Sequence, residues 1–370
     1  RKHFEHLKNP DKPRPRPASE IIPREKSEGI VATDKEATNH FIQIYYSTKK
    51  LTPEKTVNDY RNFIIERLFT SMLSQRLQEL TQSPNPPFLY GASGLGEFVR
   101  GYEAYRSFAV LGKDGVEPAI NAIIQENERA RKFGFTETEL DRMKKILMKN
   151  IERAYNERDK TESANIVQEY IRNFLEQEPI PGVENEYTYH KQFLDGISLK
   201  EVNEYTSKTI PPDTEKKLII LTGPDKAEFK IPTNEELLVI ADQAAKAEIK
   251  AYEESAVATT LMEKAPAAGK VVAEKTIAEL GVTELTLNNG VKILLKPTDF
   301  KNDQIIMTSS RFGGQYLYGA EDRFNAEYAS AIVTQMGVSD FTPVQLRKVL
   351  AGKSASVTPR LGTISESING

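Results

Sequence analysis

A chain of 370 residues has room for two or three domains, and 39% hydrophobic with 28% charged residues is the ordinary balance of a protein that buries a core. A formal charge of −3 carries no electrostatic footprint for nucleic acid. Cysteine is absent, which excludes disulfides, thiolate metal sites and cysteine nucleophiles, and no stretch approaches the roughly 20 apolar residues of a membrane helix.

Residues 9–23 place five prolines in fifteen positions and read as an extended connector. Gly29 to Ala32 and His40 to Ser47 then read as strands, the second alternating Phe41, Gln43 and Tyr45 against Ile42, Ile44 and Tyr46. Val57 to Leu80 is a helix with the broad apolar stripe that covers a sheet, including Tyr60, Phe63, Ile64, Leu68, Met72, Leu73 and Leu77. From Pro86 to Leu111, aromatic and branched residues alternate with Gly91, Gly94, Gly96 and Gly101, as in strands broken by turns or bulges. A helix opening at Gly115 lines up Val116, Ile120, Ile123, Ile124 and Ala130 before Gly134 ends it. Thr136 and Glu139 form a capping box for the next, which buries Leu140, Met143, Ile146, Leu147 and Ile151. A third, Ser163 to Glu176, is expected to bury Ile166, Val167, Tyr170, Ile171 and Phe174.

Beyond Pro181, Ser198 and Glu201 cap a short helix with Val202 and Tyr205 inward, and Lys217 to Thr222 is a buried strand. Thr233 and Glu236 cap another helix, after which Ala241 to Ala268 reads as a solvated helical linker. The last unit opens with a hairpin from Glu284 to Lys296 around Asn289-Gly290, the pair that a type I′ turn favours. Ile305, Met307 and Ser309 continue as a strand, Asn325 to Met336 is a helix ended by Gly337, and Thr342 with Gln345 caps one more. The start at Arg1, without a signal-like apolar region, reads as an excised piece. The end at Gly370 falls roughly 100 residues into the last unit, short of what its architecture needs and leaving an open sheet edge.

PPFLYGASGLG, the helix pair around NERARKFGFTETELDRMKK, and AYNERDKTESANIVQEYIRNFLEQEPIPG together resemble the second domain of the pitrilysin family of zinc metallopeptidases, which includes insulysin and the mitochondrial processing peptidases. RKHFEHLKNPDKPRPRP is similar to the exit from that family's first domain, and LTLNNGVKILLKPTDFKNDQI to the opening of its third. The resemblance is closest to bacterial full-length members. It implies an α+β fold of the pitrilysin-like (metalloenzyme LuxS/MPP-like) type, a mostly antiparallel sheet covered by helices, plus a partial second copy. The implied division is 1–23, first-domain exit and connector; 24–232, a complete inactive second domain; 233–270, linker; and 271–370, half of a third domain.

The chemistry-bearing residues weigh against a site in this chain. The sequence has four histidines, and His3, Glu5 and His6 come nearest to the family's inverted zinc motif H-x-x-E-H. They are one residue short. In the true motif the imidazoles lie four apart and the glutamate precedes the second, whereas Glu5 would point about 130° away from the histidines on a helix of about 100° per residue. His40 and His190 read as packing or surface residues. In the third domain the resemblance places the degenerate counterpart of the zinc helix at Ala331, Thr334 and Gln335, which offer neither an imidazole pair nor a general base. Gly91, Gly94 and Gly96, like Gly313 and Gly314, lack a phosphate-loop pattern, and Ser93 stands in no G-x-S-x-G elbow and has no histidine partner. Glu126, Asn127 and Glu128, and the acidic run Glu152 to Asp159, alternate with cations as a solvated helical face does. Arg14 and Arg16 belong to the connector.

The expectation is thus a non-catalytic portion of a zinc metalloendopeptidase, forming part of its substrate-chamber wall. Catalytic residues, metal ligands and cofactors are expected to be absent from this chain, with zinc in the parent protein activating water for peptide hydrolysis. Expected partners are peptide substrates through the parent, the missing first and fourth domains, and a second copy meeting the open third domain, with no nucleic acid and no membrane span. The resemblance points to the bacterial envelope or periplasm. The alternative is a zinc-free scaffold subunit of a larger assembly.

Overall fold

The computed structural model describes residues 3, 5–15, 20–52, 55–212, 214–225, 229–254 and 260–370. Period-two alternation builds its central sheet from β1 (Glu28–Thr33), β2 (Phe41–Lys50), β3 (Tyr90–Val99), β4 (Tyr102–Val110) and β5 (Leu218–Gly223), in the order β1-β5-β2-β4-β3. Only β1 and β5 run parallel; the other pairings are antiparallel. Ile42 lies opposite Ala109 and Leu221, and Ile44 opposite Ser107 and Ile219, so these side chains share the inner face.

Helices cover that inner face: α1 (Val57–Leu80), α2 (Val116–Phe133) and α7 (Asn234–Lys246) meet strands, α3 (Glu137–Asn156), α5 (Val183–Phe193) and α6 (Leu199–Thr209) pack on those helices or on one another, and α4 (Ser163–Glu176) buries none of its residues. The α1 stripe Leu68, Phe69, Met72, Leu73 and Leu77 is fully buried, worth about 1.5–3 kcal/mol per side chain against exposure. Both N3 donors and acceptors of the boxes at Thr136, Ser198 and Thr233 are made. So are those of Thr56 with Asp59, where an aspartate takes the place of the expected glutamate. Gly134 ends α2 at φ +70, and a Cβ there would lie 2.4 Å from the Asn203 side chain, so glycine is required twice over.

Residues 271–370 form two three-stranded antiparallel sheets. One is β6 (Val271–Ile277), β7 (Val282–Leu287) and β8 (Lys292–Leu295); the other is β9 (Thr308–Phe312), β10 (Thr358–Leu361) and β11 (Ser365–Asn369), ordered β10-β11-β9. With them go α8 (Arg323–Met336) and α9 (Pro343–Val349).

Several sequence expectations are corrected. The glycine-rich run is two strands, β3 and β4, joined by a turn at Gly101 (φ +80), with a bulge between Glu97 and Val99 as expected; Gly91, Gly94 and Gly96 mark no break, since β3 pairs with β4 without interruption from Tyr90 to Glu97, and Gly91 is needed because a Cβ would meet the buried Phe88 ring at 2.6 Å. Glu126, Asn127 and Glu128 are buried, not solvated. Arg76 and Arg129 neutralise Glu126, Tyr105 and Ser107 satisfy Asn127, and Arg131 with Lys132 pairs Glu128. In α4 the expected buried stripe is outward: Ile166, Val167, Tyr170, Ile171 and Phe174 are exposed, while Asn165 and Glu169 line a cleft with Val183 and Glu186 of α5. The alanine-rich stretch is helical only to Lys246, and α7 packs on α2 and β1 through Leu237, Ala241 and Ala244. The described residues from Ala247 to Lys270 contain no helix. At Asn289-Gly290 only the glycine has positive φ, and Gly290 N donates to Leu287 O; that is a type I turn closed by a glycine bulge, not type I′. Ile305 lies outside β9, which begins at Thr308.

Candidate functional site

Among the described residues, no helix covers the outer face of the five-stranded sheet. Register places Phe41 opposite Val110 and Thr222, Gln43 opposite Phe108 and Ile220, and Tyr45 opposite Arg106 and Leu218. The apolar core takes its buried strand residues from the opposite rows alone: Ile42, Ile44, Tyr46, Tyr105, Ala109, Ile219 and Leu221. The outer rows are therefore left half-buried, which is unusual for so many aromatic residues on one face. Phe41 stacks on Phe108 with centroids 5.6 Å apart, Tyr90 meets the same ring at 6.2 Å, and Phe98 stands edge-on to Tyr45 at 5.6 Å. Arg106 is an exposed cation among them, and Tyr45 Oη donates to Gln43 Oε1 at 2.9 Å.

Beneath this face a buried polar chain fixes the middle strands. Tyr105 Oη donates to Asn127 Oδ1 at 2.9 Å, Asn127 Nδ2 donates to Ser107 Oγ at 2.9 Å, and Ser93 Oγ lies 2.8 Å from Ser107 Oγ. Burial pushes the Tyr105 hydroxyl well above its ordinary pKa, so it is a fixed donor. Ser93 is thereby committed to a structural bond. The outer face can offer ring surface, one guanidinium and the backbone of the β3 edge to an extended chain. It holds no nucleophile, general base or metal donor set.

Residues singled out in the sequence are scattered. His3, Glu5 and His6 are exposed in a turn, Phe4 lying outside the described residues. His40 is buried, stacked on Phe229 at 3.8 Å with Nε2 2.9 Å from Pro224 O. His190 is buried in α5, its Nδ1 2.8 Å from Glu186 O and 3.4 Å from Tyr60 Oη. Ala331, Thr334 and Gln335 share one exposed side of α8, with Thr334 Oγ1 donating to Ser330 O at 2.7 Å. Gly313 and Gly314 lie at the end of β9, where Gly314 closes against the backbone of Gly362 and Ser365. Arg14 is exposed and Arg16 lies outside the described residues. Among the described residues no group of three or more histidine, aspartate or glutamate side chains is placed to hold a metal ion. The outer aromatic rows were not singled out in the sequence, although the signal is there: β2 is apolar in both parities, Phe41 and Tyr45 as well as Ile42 and Ile44.

Residues 1–147 match the family model described as the peptidase M16 inactive domain. Over 356 residues the chain is 27% identical to the zinc protease PQQL-like of Arabidopsis thaliana, covering 94% of this chain and 33% of that protein. It is 22% identical over 339 residues to the probable zinc protease PqqL of Escherichia coli, covering 90% of this chain and 35% of that protein. The chain thus spans about a third of the length of the curated relatives it matches. Among solved structures, the periplasmic protease PqqL from Escherichia coli aligns over 97% of this chain and 39% of its own, with a TM-score of 0.58 and 17% identity. The ferredoxin protease FusC, solved with Arabidopsis ferredoxin, aligns over 96% and 40%, with a TM-score of 0.54 and 17% identity.

Proposed function

We infer that this chain is a pitrilysin-like member of the M16 peptidases, on its inactive-domain match and its zinc-protease relatives, and propose from that premise that its open sheet face is part of the wall of a substrate chamber. The observation that carries this reading is the row of aromatics, half-buried Phe41, Tyr45 and Phe108 with exposed Phe98, on a sheet face that no helix covers among the described residues. Stacked rings and one arginine suit an extended peptide of mixed sequence, because ring faces are tolerant of what they contact. The relatives are zinc proteases by name, so the parent reaction we infer is attack of zinc-activated water on a peptide carbonyl. No step of it is assigned to this chain: His40 and His190 are packed in the interior, and Ala331, Thr334 and Gln335 bring no metal donors of the required kind. Zinc is therefore ascribed to another part of the parent protein.

The packing of α7 on α2, and of Tyr252 and Glu254 on the first unit, supports a division after Glu254 in place of one at residue 233. Exposed apolar residues of 271–370, such as Phe312, Phe324 and Ile332, support self-association or docking of a further unit there. The periplasmic Escherichia coli structure supports an envelope location, while the Arabidopsis relative extends the type beyond bacteria.

The test uses the purified 370-residue chain and an unstructured peptide labelled with a fluorophore. Weak binding that is lost in Tyr45→Ser and Phe108→Ser, with no hydrolysis and no stoichiometric zinc by elemental analysis, is expected. Unchanged binding in both variants would remove the wall reading, and hydrolysis by the chain alone would remove the non-catalytic one.

A further inference from the structure

The segment after α7 is held on the first unit by a buried ionic cluster that also takes in one residue of the last unit. Lys250 O accepts from Arg129 Nε at 2.8 Å. The Tyr252 ring covers the Arg76 guanidinium at 4.3 Å, with Phe135 on it at 4.6 Å. Tyr252 Oη donates to Glu79 Oε2 at 2.7 Å. Glu254 accepts from Thr138 Oγ1 at 2.6 Å and pairs with Arg142 at 2.8 Å. Into this cluster α9 inserts Lys348, only 7% exposed. Its Nζ lies 3.0 Å from Glu79 Oε1 and 2.9 Å from Glu254 Oε1, and donates to Tyr252 Oη at 3.1 Å. Burial alone would lower the Lys348 pKa, but its bonds to Glu254, Tyr252 and Glu79 outweigh that and raise it. The Tyr252 hydroxyl is pushed up to about 12, by burial first and then by Glu79.

Other polar contacts of the last unit with the first are of another kind and lie at the surface. Asn302 and Asp303 donate backbone N–H groups to Glu157 Oε1 at 2.7 and 2.6 Å, Asn302 Nδ2 donates to Asn156 O at 2.9 Å and to Asp159 Oδ1 at 2.6 Å, Asn156 Nδ2 donates to Asp303 Oδ2 at 3.3 Å, Lys149 pairs with Asp303 at 3.8 Å, and Lys301 Nζ reaches Lys160 O at 3.5 Å. Exposed polar contacts contribute little and tolerate sliding. A buried ammonium shared by two carboxylates does not: moving it leaves an uncompensated charge. Small polar contacts between units ordinarily leave their angle free. Here one buried cation decides it.

We propose that residues 250–254 and Lys348 form a fixed joint that sets the orientation of residues 271–370 on the first unit. The connector is then an elbow pinned on one side to α1, α2 and α3 and on the other to α9, and the closing element is a single side chain.

The absence of native cysteine makes paired spin labels straightforward. Labels at Lys113→Cys and Lys292→Cys, whose side chains are 88% and 69% exposed, report across the units; Lys113→Cys with Lys200→Cys reports within the first. Pulsed dipolar spectroscopy on the full chain is expected to give one narrow distance across the units. Lys348→Met and Glu79→Gln should each lose that single peak, Asn302→Ala should keep it, and the pair within the first unit should be unchanged throughout. Should Lys348→Met fail to fold, Tyr252→Phe, which removes only the hydroxyl bonds, makes the same test. A broad distribution before any substitution, a narrow one surviving Lys348→Met or Tyr252→Phe together with Glu79→Gln, or a loss of the peak in Asn302→Ala would overturn the joint.

Discussion

Arg76 donates to Glu139 through Nε at 2.6 Å and Nη2 at 2.8 Å, reaches Glu126 at 3.4 Å, and lies under two aromatic rings. Burial raises the Glu126 pKa, against the pull of Arg129 and Arg76, so that carboxylate depends on its cations to stay charged. Arg76→Met should therefore destabilise the chain by about 3–5 kcal/mol in urea titration, because it strands buried carboxylates, while an exposed pair such as Lys113 with Asp114 should cost almost nothing on removal. His190 gives a pH prediction. Burial first, and then the Arg67 charge, hold its pKa below 6.5, with the Glu186 carbonyl opposing. Above pH 6.5 the imidazole is neutral in both folded and unfolded chains; as pH falls, the unfolded chain takes the proton first and the native state loses stability. His190→Asn should flatten the fall in melting temperature below pH 6.5, measured by calorimetry across that range.

At the scale of elements, α4 is amphipathic in sequence yet its apolar stripe is exposed: Phe174 is 74% exposed and Tyr170 60%. A helix of 14 residues that buries none of them is marginal in water. Its amides should exchange in hydrogen–deuterium experiments far faster than those of α2 and α3, whose stripes are buried; protection equal to α3 would mean the apolar face is covered in solution. The same helix marks where sequence reading stops. Periodicity finds α4 and its apolar stripe, as it finds those of α2 and α3, which are buried, but it cannot say that Asn165 and Glu169, not the apolar stripe, turn towards α5. Capping boxes at Thr136, Ser198, Thr233 and Thr342 were legible because each is a local bargain between a side chain and its own turn. The buried state of Glu126, Asn127 and Glu128 was not, since Arg76 and Tyr105 come from elements 50 and 22 residues away. For the candidate site, β2 and β4 were found as strands, but which of two apolar parities lacks helices is decided by the β2 register with β4 and β5, contacts that no local pattern encodes.

For the whole molecule, the distribution of burial sets how it should come apart. The large apolar core lies entirely between Ile42 and Ala244. In 271–370 the buried residues are Gly313, Gly314, Ala326 and Lys348, a set with almost no apolar surface to offset the conformational entropy of a unit of this size. Its strands are satisfied in hydrogen bonds but not in packing, and its attachment depends on Lys348 at the cluster of Glu79, Tyr252 and Glu254. Unfolding in guanidinium should therefore show two steps: residues 271–370 released first at low denaturant, then the first unit in a steeper transition that exposes its core. Brief trypsin treatment should cut early at the exposed Lys264 and Lys270 and leave the first unit intact, and Lys348→Met should advance that cleavage without moving the second transition. A single cooperative transition, with both lysines protected until the first unit melts, would mean that 271–370 is stabilised by more than its own packing and one buried cation.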